Sequence, residues 1–136
     1  MNITIIGAGP IGCYAAYLLA QSGHIVNIYE NHKEIGLPIQ CTGLLTSDFD
    51  QFHLNKESFL INTLTNIEVN TPNHKITFEN QKEYLVNRRK FDQFFANLAE
   101  KPAQLFILIT PSKVRKTIIS SSKTPKLTRL KSSLQK

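Results

Sequence analysis

The chain has 136 residues, of which 41% are hydrophobic and 19% charged, a composition typical of globular proteins that argues against a disordered or membrane-spanning one. Its net charge of +6 arises at one end, because residues 102–136 hold eight Lys and Arg residues and no Asp or Glu. Cys13 and Cys41 lack the spacing of a zinc site or a disulfide framework, and the apolar start has no basic flank, so we expect a cytoplasmic protein.

The first thirty residues predict a βαβ unit. Residues 2–6 are a β-branched run that ends at Gly7, as in a buried parallel strand. Helix-forming residues follow from 10 to about 21, and Gly23 supplies the C-terminal stop. Residues 25–29 form a second strand that ends at Glu30. A connection this compact requires a right-handed crossover, so the two strands should be parallel neighbours in one sheet.

Three glycines between the first strand and the helix follow the pattern of a dinucleotide-binding loop. Gly7 permits the tight turn, Gly9 lets the backbone approach a pyrophosphate, and Gly12 allows the helix to pack closely on the strand. Unpaired N–H groups and the positive end of the helix dipole then complement the phosphates. An ordinary glycine turn is the alternative, but the complete strand–loop–helix–strand context favours nucleotide binding.

An acid closes the second strand about twenty residues after the glycine loop. At this place a carboxylate accepts hydrogen bonds from ribose hydroxyls, and the charge of Glu30 would oppose a 2′-phosphate. The sequence therefore favours FAD or NAD over NADP. The alternative is a solvated acid in the loop that follows a strand.

The middle of the chain predicts a loop, a hairpin and a second helix. Residues 31–46 contain Gly and Pro without periodicity and should be a long loop. Residues 65–71 and 75–79 alternate around a Pro-Asn-His turn, as in a β-hairpin. Residues 84–86 continue as a strand, and the phenylalanines that follow mark the apolar stripe of a helix from about 88 to 101.

The pattern changes after Lys101. Residues 105–109 resemble a strand, but the remaining tract is rich in Ser, Thr and Lys and has no consistent period. We therefore divide the chain into residues 1–101, which carry the nucleotide-binding pattern and which the resemblance described next identifies as the N-terminal part of an FAD-binding domain, and residues 102–136, a basic tail. One hypothesis is a frameshifted or truncated reading frame after Lys101. The competing one is a basic tail that binds nucleic acid or an anionic membrane surface, which we rank lower.

Four segments of the chain resemble the FAD-dependent geranylgeranyl reductase family. They are residues 5–20, 29–30, 34–45 and 86–92, and their most particular motifs are Ile-Gly-x-Pro and Cys-x-Gly in the third segment and Arg-x-x-Phe-Asp in the fourth. The resemblance covers residues 1–101. It implies a hydroxybenzoate-hydroxylase-like fold and the reduction of prenyl double bonds in lipids or chlorophyll precursors.

The same resemblance assigns expected roles to individual residues. The pyrophosphate would be held by Gly7, Gly9, Pro10, Ile11 and Gly12, and the adenine ribose by Glu30. The flavin would be lined by Gln40, Cys41, Thr42 and Gly43 and contacted by Arg88. Cys41 is a tentative catalytic residue beside the flavin, and its alternative is a small buried hydrophobic residue. No metal site is expected.

The fold class that follows is α/β, an incomplete Rossmann-like FAD/NAD(P)-binding domain with a β-hairpin insertion and an irregular tail. The expected function is the N-terminal FAD-binding part of a flavin-dependent oxidoreductase that acts on prenyl lipids. The alternatives are a nucleotide-binding fragment without catalysis and another FAD-dependent oxidoreductase or monooxygenase of the same fold. We expect the fragment alone to be inactive, with FAD as partner, no nucleic acid and peripheral membrane contact through the lipid substrate.

Overall fold

The computed structural model describes residues 1–79 and 81–102 and the backbone of residues 105–109. The chain forms two compact units, the first made of residues 1–37 and the chain from 92 onward, the second of residues 38–91. In chain order the elements are β1 (Asn2–Ile6), α1 (Pro10–Gln21), β2 (Ile25–Glu30), β3 (Leu44–Thr46), a 3-10 helix (Ser47–Phe52), β4 (Leu60–Leu64), β5 (Ile67–Asn70), β6 (Lys75–Phe78), β7 (Glu83–Val86), α2 (Arg88–Glu100) and β8 (Leu105–Ile109).

The first unit is built on a parallel sheet of order β1-β2-β8. Ile3 pairs with Val26 across β1 and β2, and Val26 pairs with Leu105 across β2 and β8. The predicted βαβ unit is thereby confirmed, and the strand-like run after Lys101 is the third strand of its sheet. Gly23, with φ +84°, ends the first helix in the conformation expected of a C-terminal stop.

The core of the first unit lies between α1 and the sheet. Val26 and Ile28 of β2 are fully buried, and the face of α1 turned inward carries the small residues Cys13, Ala16 and Ala20. The larger residues Ile11 and Leu18 of the same helix are 81% and 45% exposed. Small side chains let a helix approach a sheet closely. The residues of α1 that are buried are therefore its small ones and not its most hydrophobic ones.

The second unit contains two antiparallel sheets. Strand β7 lies between β3 and β4, and β5 and β6 form the predicted hairpin, in which Val69 pairs with Ile76. Its core is a cluster of three phenylalanines with ring centroids 5.1 to 6.2 Å apart. They are Phe49, Phe59 and Phe91.

One sequence prediction for the second unit was wrong in part. Residues 31–46 were expected to be loop throughout, but Leu44–Thr46 is strand β3, paired with β7. Strand β4 and the 3-10 helix were not predicted at all. A three-residue strand is too short to show alternation, and the pairing of β4 shifts register between Leu60 and Asn62, which disrupts its alternation.

Within the described residues, no helix is both long and apolar enough to cross a bilayer. The same part of the chain holds no group of three or more His, Cys, Asp or Glu side chains that could bind a metal ion. The predicted irregular tract after β8, residues 110–136, lies outside the described residues.

Candidate nucleotide and flavin sites

The glycine loop joins β1 to α1 and is fastened to the end of β2. The Gly7 N–H donates to the Tyr29 carbonyl at 2.7 Å, and Gly7 has φ +103°, a conformation that side chains disfavour. Ala8 is buried, and its carbonyl accepts a contact from the Cys13 thiol at 3.3 Å. The loop therefore has a fixed shape before any ligand binds.

Gly9 and Gly12 serve different purposes. A Cβ atom at position 12 would collide with the Gly7 carbonyl oxygen, so the close packing of helix on strand requires glycine there. A Cβ at position 9 would meet no atom within 4 Å. The backbone at Gly9 thus borders open space, which is what a loop that admits a pyrophosphate needs.

The N-terminus of α1 begins at this open space. Gly9 is its N-cap residue, no side chain caps it, and Pro10 occupies the first turn. The first helical hydrogen bond runs from the Cys13 N–H to the Gly9 carbonyl at 2.9 Å. The N–H groups of Ile11 and Gly12 precede that bond, and such groups are the usual donors to phosphate at a helix start.

Glu30 is 8% exposed and is the only buried charged residue among those described. Its Oε2 accepts the Ala8 N–H at 2.7 Å, which links the end of β2 to the glycine loop. Its Oε1 accepts the N–H groups of Asn31 and His32 at 2.8 and 2.9 Å and lies 2.7 Å from His32 Nδ1. The alternative interpretation of Glu30 as a solvated loop acid is wrong.

These hydrogen bonds keep Glu30 ionised. Burial raises the pKa of the carboxyl, but the bonds from Ala8, His32 and Asn31 together outweigh burial and lower the pKa below its usual value. A buried carboxylate that is held in one orientation presents a fixed acceptor beside the glycine loop.

Residues 40–43 and Arg88 lie together in the second unit. The Gly43 carbonyl accepts the Val86 N–H at 2.8 Å, and Gly43 has φ +81°. A Cβ at this position would lie 2.5 Å from the Val86 oxygen and 3.2 Å from Arg88 Cγ. Glycine is therefore required for the loop to pass under the arginine side chain, while Gln40 and Thr42 are exposed.

The two cysteines have opposite environments. Cys41 is exposed, and a hydrogen bond with the Gly43 backbone, the charge of Arg88 and contacts with Thr42 lower the pKa of its thiol. Cys13 is fully buried, and burial followed by the charges of nearby acids raises its pKa to about 12. The alternative that Cys41 is a buried hydrophobic residue is wrong, whereas Cys13 has that role.

The structure thus divides the predicted site residues into two sets. Gly7, Gly9, Pro10, Ile11, Gly12 and Glu30 lie in the first unit, and Gln40, Cys41, Thr42, Gly43 and Arg88 lie in the second. The bond between His32 and Glu30 was not predicted from the sequence. An imidazole two residues after an acid at a strand end was the available signal.

Comparison with known proteins agrees with this fold. Residues 5–68 match the family described as NAD(P)-binding Rossmann-like domain. An uncharacterized protein of Methanosarcina barkeri is 31% identical over 134 residues, which cover 89% of this chain and 72% of that protein. The digeranylgeranylglycerophospholipid reductase of Methanocaldococcus jannaschii is 31% identical over 104 residues, which cover 74% of this chain and 26% of the reductase.

Solved structures show the same fold. A geranylgeranyl bacteriochlorophyll reductase-like protein from Thermoplasma acidophilum superposes with a TM-score of 0.68 at 23% identity, over 82% of this chain and 32% of that one. A probable FAD-dependent monooxygenase from Pseudomonas aeruginosa superposes with a TM-score of 0.63 at 19% identity, over 80% of this chain and 32% of that one. The chain therefore belongs to one family with the Methanosarcina barkeri protein and is homologous to the digeranylgeranylglycerophospholipid reductases, of whose length it spans about a quarter. Its fold is that of FAD-dependent oxidoreductases.

Proposed function

We propose that the chain is the FAD-binding N-terminal part of an oxidoreductase that reduces prenyl-chain double bonds in lipids. The observation that carries this proposal is the hydrogen bond from the Ala8 N–H to Glu30 Oε2. It joins the glycine loop and the acid at the end of β2 into one preformed site. The names of the relatives supply the prenyl-lipid substrate, and the FAD-dependent fold of the structural neighbours supplies the reaction class.

FAD is the proposed cofactor. The open space beside Gly9 fits a pyrophosphate, and the N–H groups of Ile11 and Gly12 would donate to it from the uncapped helix start. The ionised Glu30 would accept the hydroxyls of the adenine ribose and would repel a 2′-phosphate, which disfavours NADP.

In the second unit, Gln40, Cys41, Thr42, Gly43 and Arg88 are proposed to line the isoalloxazine ring. The positive φ at Gly43 brings the loop backbone under Arg88, whose planar guanidinium can donate to ring carbonyls or phosphate. Reduced FAD would supply a hydride equivalent to the carbon–carbon double bond. Cys41, exposed and with a lowered pKa, is the chain's proposed catalytic side chain beside that ring.

The prenyl-lipid substrate and a peripheral contact with the membrane belong to this proposal, and no nucleic acid is part of it. A nucleotide-binding module without catalysis is the second candidate, favoured by the fact that the chain spans 26% of the reductase it resembles. We expect the chain to bind FAD and, on its own, to leave a geranylgeranyl lipid unreduced.

A titration with FAD and ADP tests the nucleotide site. Glu30→Ala should weaken binding of either ligand roughly ten- to a hundredfold, because two charge-assisted hydrogen bonds to the ribose would be lost. Isothermal calorimetry of the full chain measures the affinities, with the exposed Glu57 changed to Ala as a matched control. Melting curves of each variant separate lost binding from lost folding. Equal affinities for wild type and Glu30→Ala would contradict the assignment of Glu30.

Catalysis is tested by reconstituting the chain with FAD, reducing the flavin with dithionite and adding a geranylgeranyl lipid. Reoxidation of the flavin coupled to saturation of the prenyl chain would show that the chain catalyses by itself. Bound FAD without saturation supports the second candidate for the isolated chain. Absence of FAD and ADP binding would overturn both.

A further inference from the structure

The strongest unexplained feature of the nucleotide site is the crowding of donors on one oxygen of Glu30. Oε1 accepts the backbone N–H groups of Asn31 and His32 and lies 2.7 Å from His32 Nδ1, while Oε2 accepts the Ala8 N–H. The carboxylate is thus held at both ends. One oxygen belongs to the loop after β2, and the other faces the glycine loop.

Only one of these four donors depends on the identity of a side chain. Any residue except proline supplies the backbone N–H groups of positions 8, 31 and 32, whereas the ring bond requires a donor at His32 Nδ1. An ionised carboxylate can only accept, so Nδ1 carries the proton. The bond therefore sets the tautomer of His32, whose side chain is 47% exposed.

We infer that His32 is a positioning residue of the nucleotide site: its ring N–H holds Glu30 Oε1 and thereby directs Oε2 toward the glycine loop, where the adenine ribose would bind. This inference rests on the proposed function and adds a residue to it. His32 would act through Glu30 and would not itself contact the nucleotide. The effect of a His32 substitution on affinity should then depend on whether the ligand has the ribose hydroxyls that Glu30 would accept.

Two ligands and three variants test this. ADP carries both ribose hydroxyls, and 2′,3′-dideoxy-ADP lacks both. His32→Leu removes the ring donor, His32→Asn places an amide donor near the position of Nδ1, and His32→Gln places it near the position of Nε2. Calorimetry of the full chain gives the affinities, and a melting curve without ligand reports on folding.

We expect His32→Leu and His32→Gln to weaken the binding of ADP about three- to tenfold, because each loses one hydrogen bond to Glu30. The affinity of His32→Asn for ADP should stay within about twofold of wild type, and 2′,3′-dideoxy-ADP should bind all four proteins within about twofold of one another.

Equal losses of affinity for ADP and 2′,3′-dideoxy-ADP would show that His32 only supports the fold. Unchanged ADP affinity in His32→Leu would show that Glu30 keeps its orientation without the His32 ring. Either result overturns the inference and leaves the proposed function standing. A wild-type chain that binds neither ADP nor FAD would overturn the proposed function and the inference together. If His32→Leu does not fold, the comparison of His32→Asn with His32→Gln decides.

Discussion

Gly9 and Gly12 separate the requirements of binding from those of folding at single residues. The space beside Gly9 is open, whereas a Cβ at Gly12 would collide with the Gly7 backbone. Backbone atoms cannot move aside as a flexible side chain can. A side chain at position 12 should therefore destabilise the fold by pushing α1 away from β1.

Gly9→Val should therefore fold with little change in melting temperature and lose binding of FAD and ADP. Gly12→Ala should destabilise the first unit by about 1–3 kcal/mol, the usual cost of overpacking. Circular dichroism melts together with ADP calorimetry measure the two effects. A Gly9→Val chain that binds ADP normally would contradict the placement of the pyrophosphate.

Cys41 and Cys13 should differ sharply in reactivity. The thiolate is the reactive form, so the exposed Cys41, whose pKa is lowered, should react with iodoacetamide at neutral pH, while Cys13 should stay unmodified until the chain unfolds. Arg88→Gln removes one of the causes of the lowered pKa and should move the rate profile of Cys41 to higher pH. Mass spectrometry of peptides after alkylation across a pH series measures both rates. Modification of Cys13 at a similar rate in the folded chain would contradict its burial.

At the scale of elements, one aspartate ties the 3-10 helix to β7. Asp50 Oδ2 accepts the Tyr84 hydroxyl at 2.6 Å and lies 3.2 Å from Lys82 Nζ, and Oδ1 pairs with Lys56. The Tyr84 ring is 2% exposed, and the ammonium of Lys56 lies 4.7 Å from its centroid. The bonds with Lys56 and Tyr84 hold the pKa of Asp50 well below its usual range.

Asp50→Asn should lower the melting temperature of the second unit, because the two lysines lose their counter-charge. A carboxyl whose pKa is lowered by folding stabilises the protein above its unfolded pKa of about 4, and this contribution is lost as the pH falls through the lower folded pKa. The wild type should therefore lose stability on acidification below about pH 4 more steeply than Asp50→Asn. Near-UV circular dichroism of tyrosine reports the transition, since the chain has no Trp. Parallel pH profiles for the two proteins would contradict this role.

The elements that the sequence predicted correctly are those whose periodicity reflects local packing. Residues 2–30 combine a β-branched strand, a helix between Pro10 and Gly23 and a second strand, and each signal agrees with the next. Strand β3 was not predicted because three residues are too few to show an alternating pattern. The bond between Glu30 and His32 was missed for another reason: an imidazole two residues after an acid is a weak signal, because the bond depends on where the loop after β2 places the ring.

At the scale of the molecule, the first unit carries exposed apolar surface. Within the described residues, β1 pairs with β2 alone, and Ile6 and Ile25 are 42% and 44% exposed. A three-stranded sheet with an open edge buries less surface than a complete domain, so we expect marginal stability.

Binding of FAD should raise the free energy of unfolding. FAD at a hundred times its Kd should add about 2.7 kcal/mol to the free energy of unfolding, through preferential binding to the folded state. Differential scanning fluorimetry with a hydrophobic dye, using FAD, ADP and FMN, measures the shift, and FMN serves as the control because it lacks the adenosine monophosphate part of FAD. A cooperative ligand-free melt in the usual range of about 45–65 °C would contradict the predicted instability.

The origin of residues 102–136 stays a prediction, although β8 gives residues 105–109 a place in the sheet. The 89% of the chain that aligns with the Methanosarcina barkeri protein exceeds the share that precedes Pro102, so that alignment also reaches beyond Lys101. Resequencing the gene around the codon for Lys101 tests the frameshift hypothesis directly.

The insertion of the second unit between β2 and β8 affects the order in which the sheet assembles. The paired residues Ile3 and Val26 are separated by 23 positions in the sequence, whereas Val26 and Leu105 are separated by 79. Loop closure over the longer distance costs about 1 kcal/mol more, so the first two strands should pair early and β8 should join late. Prior folding of residues 38–91 shortens the flexible chain between β2 and β8. The rate at which the parallel sheet closes is therefore set in part by residues that lie outside it.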